Sequence, residues 1–236
     1  MHRKRLKDSD FVVLCAGDSL TQATFSSNYV SILQKKLEGQ NYEIINAGKV
    51  GDTAENLLKR IHNDVISKEP DFITILIGAN DARQNIELDQ ALESYRNTIR
   101  EIIFQIRSKT DIPVALISLA PLGENPFSEK NKKVEQYNII LENIASRQNL
   151  VYLPFFENLI PALKNKKPQD RSEFKLNLVS ALIKSAFRKY FLKNDWDTIS
   201  KRNGFTVLTD GIHLNDYSGN ILAELIKEWI LLTRKM

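Results

Sequence analysis

Five short apolar runs recur along the chain and are separated by longer segments of helical period. The runs cover residues 11–16, 43–46, 72–77, 114–118 and 150–153. They are rich in Val, Ile and Phe and too short for helices, as buried parallel strands are. Between them apolar residues return every three or four positions. Ala54, Leu57, Leu58, Ile61 and Val65 make one such face. Leu88, Leu92, Tyr95, Ile99, Ile102 and Ile106 make a second, and Val134, Tyr137, Leu141 and Ile144 a third. Alternating strand and helix predicts right-handed crossovers and a mostly parallel α/β sheet covered on both faces.

In such a sheet, ligands bind beyond the carboxyl ends of the strands. Three of the predicted strands run into small or polar residues there: Gly17-Asp18-Ser19-Leu20-Thr21, then residues 46–53 (NAGKVGDT), then Gly78-Ala79-Asn80-Asp81. Each run alone fits an ordinary turn or helix cap. Together they outline a site. Ser19 is a nucleophile in search of a base, and His213 supplies one three residues after Asp210. That spacing lets the carboxylate hold one imidazole nitrogen and leaves the other for the serine, the division of labour in Ser-His-Asp catalysis. The Ser19 and Gly51 backbone N–H groups and the Asn80 side-chain amide are candidate oxyanion donors. Asp18 is expected to cap the helix that follows.

At these residues the sequence resembles the SGNH hydrolases, the GDSL lipase/esterase family. The four namesake positions fall on Ser19, Gly51, Asn80 and His213, in order and after strands, and the likeness extends from about Val12 to the C-terminus. The resemblance implies a three-layer α/β/α sandwich with a five-stranded parallel sheet, flavodoxin-like. It implies ester or thioester hydrolysis through an acyl-enzyme, with Ser19, Asp210 and His213 catalytic and Ser19, Gly51 and Asn80 at the oxyanion. It implies no metal or organic cofactor. Leu214 departs from the proline frequent after the family's histidine. The substrate stays open among acylated sugars, lysophospholipids and thioesters, and a non-catalytic binding module on the same fold is the rival reading.

Composition narrows the rest. The 236 residues, 42% hydrophobic and 26% charged, fit one soluble domain spanning 1–236. No apolar run is long enough to cross a membrane, so no stable membrane insertion is expected. The N-terminus is basic without an apolar core, which argues against a secretion signal and for the cytoplasm if Met1 is the true start; a secreted mature form stays open. Cys15 is a lone strand cysteine and the three histidines lack metal-site spacing, so no metal is expected. A helical insertion at about 164–202 precedes the last motif. It carries 11 Lys and Arg against 4 Asp and Glu, so the chain's modest net +4 hides a local basic segment. Phe174, Leu178, Leu182, Ala186 and Tyr190 recur at helical spacing there. Packing on the domain, a lid over the acyl pocket formed by Phe187, Tyr190 and Phe191, and a dimer or membrane-surface face are the alternatives. Aromatic residues on the apolar stripe, away from the basic ones, argue against nucleic acid. A small acyl ester is the expected partner, with a homo-oligomer left open.

Overall fold

The first strand, β1 (Phe11–Gly17), sits inside a five-stranded sheet of order β2-β1-β3-β4-β5, every pair parallel. Its partners are β2 (Tyr42–Gly48), β3 (Phe72–Leu76), β4 (Val114–Ile117) and β5 (Val151–Leu153). The computed structural model describes residues 11–164 and 185–235. Each strand lies within two residues of its expected ends, because Val, Ile, Leu and Phe packed on both faces leave little choice of register.

Alternation along β1 shows the layering. Leu14 and Ala16 enter one core, with Ile73 and Ile75 of β3 and Leu116 of β4. Val13 and Cys15 enter the other, with Phe72, Ala115 and Ile117. The first core is covered by α3 (Ala54–Arg60), α5 (Leu88–Arg107) and α6 (Glu129–Arg147). On α5, Tyr95, Ile99, Ile102, Ile103 and Ile106 are all buried, each aliphatic contributing roughly 1.5–3 kcal/mol. The second core is covered by α2 (Tyr29–Lys36), α7 (Phe155–Lys164) and α9 (Asp216–Thr233). Helix α7 runs through Pro161, a residue that removes one backbone hydrogen bond from a helix interior. Its buried face of Phe155, Phe156, Leu159 and Leu163 outweighs the lost backbone bond. The short helices α1 (Ser19–Gln22), α4 (Ala79–Ala82) and α8 (Trp196–Arg202) complete the described elements that bear on the site.

Register levels the strand ends. Gly17 pairs with Gly48 on one side and with Leu76 on the other. The chain therefore leaves β1, β2 and β3 at one edge and at one height. Strand order reverses between β1 and β3, the crevice where ligands bind in open α/β sheets.

Candidate active site

Ser19 begins α1 immediately after β1, half-buried at the sheet edge. Asp18 is the N-cap and its Oδ1 accepts the Leu20 N–H at 2.9 Å. Close packing holds this turn to β2. Asn46 Nδ2 donates to the Thr21 carbonyl at 2.7 Å, and a Cβ at Gly48 would lie 2.2 Å from the Gln22 nitrogen. Asp18 is fully buried. Desolvation pushes its carboxyl up to about 7, against the Leu20 hydrogen bond and the nearby His213, which both favour the charged form.

The candidate base, His213, comes from a tight loop late in the chain. Leu208 and Leu214 form an antiparallel bridge, and the Thr209 N–H donates to the His213 carbonyl at 2.7 Å. Between them Asp210 Oδ2 lies 2.7 Å from His213 Nδ1. Asp210 Oδ1 accepts the backbone N–H groups of Ile212 and His213 at 3.0 and 2.9 Å. Burial opposes the Asp210 charge, but the hydrogen bond and charge of His213 and the two backbone donors outweigh it and hold the carboxyl below its ordinary range. The carboxylate thus binds the ring and the loop that presents it.

This loop is stitched to the segment behind Ser19. Leu214 donates its N–H to Ser26 Oγ at 3.0 Å, and Ser27 donates its N–H to the Leu214 carbonyl at 2.9 Å. A proline at 214 could not make the first of these bonds, which gives the Leu214 departure a structural use. Phe25 lies against His213, ring centroids 6.1 Å apart.

The candidate oxyanion donors stand on the neighbouring strand ends. Gly51 turns with φ of 80°, in the left-handed region that suits glycine. Asn80 is the second residue of α4, and its Nδ2 donates to the Asp52 carbonyl at 2.9 Å. Thr53 is the N-cap of α3, and Asp81 meets the helix's first N–H, both carboxylate oxygens accepting from Ala54 at 3.2 and 3.1 Å. Desolvation raises Asp81 to about 6 despite those bonds. Ser19, Gly51 and Asn80 are thereby carried by three adjacent loops, with Asp210 and His213 on the loop tied to residues 26 and 27.

Two supports escape sequence reasoning. Arg60, on α3, donates to Asp52, Ala47 and Gly17 at the ends of β1 and β2. Glu124 lies under the histidine loop, where its carboxylate accepts the N–H groups of Thr206, Val207 and Leu208 at 2.7–3.0 Å. Beside it, the Gly123 N–H reaches the Gly211 carbonyl at 2.8 Å.

Of the inserted segment, Phe174, Leu178 and Leu182 lie outside the described residues. Its described end winds as a π-helical turn, Phe187–Phe191. Phe187, Tyr190 and Phe191 are 53%, 61% and 76% exposed, and the two phenylalanine rings stack at 5.1 Å. The buried stripe expected from the spacing is not found at these three, where the helix widens to the π form and its period no longer matches that of the α-helical stripe. Tyr190 Oη nevertheless donates to the Thr24 carbonyl at 2.5 Å, in the segment that follows Ser19. Among the described residues no group of three or more His, Cys, Asp or Glu is arranged to hold a metal ion, and no helix is long and apolar enough to cross a membrane.

A profile of the GDSL-like lipase/acylhydrolase family matches residues 15–217. The chain belongs to this family of ester hydrolases. It is 24% identical over 132 residues to an acetylxylan esterase of Geobacillus stearothermophilus, a match spanning 52% of this chain and only 59% of that one. It is 26% identical over 152 residues to esterase TesA of Pseudomonas aeruginosa, across 61% of this chain and 70% of that one. The fold matches a lipase/acylhydrolase from Enterococcus faecalis with a TM-score of 0.65 at 21% identity, over 93% of this chain and 95% of the other. It matches a catalytic mutant of a Geobacillus stearothermophilus acetylxylan esterase with a TM-score of 0.67 at 18% identity, over 93% and 94%.

Proposed function

We propose that the protein is a serine esterase that hydrolyses small acyl esters through an acyl-enzyme on Ser19. The observation that carries this reading is the Asp210–His213 pair, 2.7 Å apart, on a loop bonded directly to the segment that follows Ser19. Asp210 on Nδ1 leaves Nε2 as the nitrogen that serves the serine. His213 takes the Ser19 proton as Oγ attacks the ester carbonyl. The tetrahedral oxyanion accepts hydrogen bonds from the Ser19 and Gly51 N–H groups and from Asn80 Nδ2. His213 then returns the proton to the departing alkoxide, and a water repeats the sequence to release the acid. No metal or organic cofactor enters these steps.

On the substrate, the relative named as an acetylxylan esterase points to a short acyl group on a hydroxylated leaving group, and the relative named as an esterase to ester hydrolysis alone. Phe187, Tyr190 and Phe191 form one wall of the substrate cleft in this reading. The Tyr190–Thr24 bond supports it, since it ties this turn to the segment that carries Phe25 against His213.

The test is a burst assay with p-nitrophenyl acetate, together with labelling by a fluorophosphonate. The wild type should release a burst of phenolate and take label at Ser19. Ser19→Ala should fold and lose both, with activity down by several orders of magnitude. Retained activity and label in that variant would reject the mechanism and favour a binding module.

A further inference from the structure

Arg60 ends α3 with its side chain only 12% exposed, in a buried ion pair with Asp52, whose side chain is 8% exposed. Its Nε donates to Asp52 Oδ2 at 2.6 Å. Its Nη1 donates to the Ala47 carbonyl at 2.9 Å and to Asp64 Oδ2 at 3.3 Å. Its Nη2 donates to the Gly17 carbonyl at 3.0 Å. Four of the five guanidinium hydrogens have fixed partners, and no lysine could reproduce that planar fork.

The partners matter more than their number. Gly17 ends β1, two residues before Ser19. Ala47 lies near the end of β2, where the Lys49 N–H shares the Gly17 carbonyl at 3.1 Å. Asp52 follows Gly51 directly, and its backbone carbonyl receives Asn80 Nδ2. One side chain therefore grips the supports of all three proposed oxyanion donors. A buried ion pair is a poor source of stability, since desolvation cancels much of the attraction and an apolar pair of similar volume often serves as well. Geometry is what this pair supplies.

We propose that Arg60, acting through Asp52, is a positioning residue that holds the Ser19, Gly51 and Asn80 donors in register for the transition-state oxyanion. The inference rests on the esterase reading above. It assigns Arg60 no contact with substrate. A misplacement near 1 Å in a reacting array costs on the order of 10²-fold in rate, so loosening this clamp should act on kcat.

The experiment compares wild type, Ser19→Ala, Arg60→Gln, Arg60→Lys and Asp52→Asn on p-nitrophenyl acetate, with thermal unfolding of each. Arg60→Gln should lower kcat about 10- to 100-fold while KM stays within about threefold, the mark of an interaction realised in the transition state. Arg60→Lys should recover little. Asp52→Asn keeps the backbone carbonyl that Asn80 uses and should show a smaller loss of the same kind, so the test survives if Arg60→Gln fails to fold. In a double-mutant cycle, Asn80→Ala should cost less in the Arg60→Gln or Asp52→Asn background than in wild type. Wild-type kcat in folded variants, a change in KM alone, or strict additivity with Asn80→Ala would overturn the positioning role. An active wild type with a dead Ser19→Ala separates that failure from failure of the esterase reading, which an inert, unlabelled wild type would sink together with this inference.

Discussion

The Asn80 side-chain amide and the Asp52 carbonyl are joined by a 2.9 Å hydrogen bond. That bond uses one of the two Nδ2 hydrogens and fixes the plane of the other. Arg83 Nη1 donates to Asn80 Oδ1 at 3.3 Å, which sets the same orientation from the opposite end of the amide. In the proposed mechanism Asn80 is thus a preset donor that need not reorganise as charge develops.

Asn80→Ala should lower kcat by roughly 10²–10³ with little effect on KM, the usual loss for one oxyanion donor. Steady-state kinetics on a p-nitrophenyl ester read this directly. A change confined to KM would make Asn80 a ground-state binding residue.

Asp210→Asn tests the orienting carboxylate. The amide oxygen can still accept the Ile212 and His213 N–H groups, so the loop should keep its shape. The amide nitrogen then faces Nδ1 and favours the wrong tautomer. A kcat loss of about 10²–10⁴ is expected, with an unfolding temperature close to that of wild type. Full activity in a folded variant would remove Asp210 from the mechanism.

Ser26→Ala should leave the buried Leu214 N–H without its acceptor at 3.0 Å. An unmet buried donor costs about 1–3 kcal/mol, or very roughly 2–12 °C in unfolding temperature for a chain of this size. Activity should fall as well, because the bond sets the histidine loop against the segment behind Ser19. Scanning calorimetry and esterase kinetics on the same preparation test both effects; an unchanged unfolding temperature would show that the bond contributes nothing.

What sequence made legible here follows from where information is local. Ser19, Gly51 and Asn80 each stand within five residues of a strand end, and Asp210 and His213 share one turn, so pattern and spacing locate them. Arg60 and Glu124 act at long range. Arg60 reaches a carbonyl 43 positions earlier, and Glu124 accepts from N–H groups 82–84 positions later. On the sequence each is one more charge on an amphipathic segment or loop, and periodicity carries no word of what its head group meets. The aromatic end of the insertion shows the opposite case. Its spacing predicts a covered stripe, but a period says nothing about a local change of helix type, and Phe187–Phe191 winds as a π turn with its rings exposed.

Asp18 makes stability depend on pH in a direction opposite to most carboxylates. Its carboxyl is raised by burial to about 7 from an ordinary 3.8, with His213 lowering it and Asp81 and Asp52 raising it through their charges. Between those two values the folded protein keeps a proton that the unfolded chain has released. The folded state then binds more protons, so this residue's contribution is fully present below about pH 4 and is lost as pH rises through about 7. At about 1.4 kcal/mol for each pH unit, the loss is on the order of 4 kcal/mol. Asp18→Asn retains an oxygen for the Leu20 N–H and carries no charge at any pH. Urea unfolding at pH 5 and pH 8 should therefore show the variant gaining on the wild type as pH rises, by about 2.5 kcal/mol, because part of the window is already crossed at pH 5. Asp81, raised to about 6, contributes in the same direction in both proteins, while Asp210, held low, loses its contribution only in acid; the difference between wild type and variant isolates Asp18. A difference that stays constant from pH 5 to pH 8 would mean that Asp18 is ionised throughout, and that its role at the cap is that of an ordinary charged carboxylate.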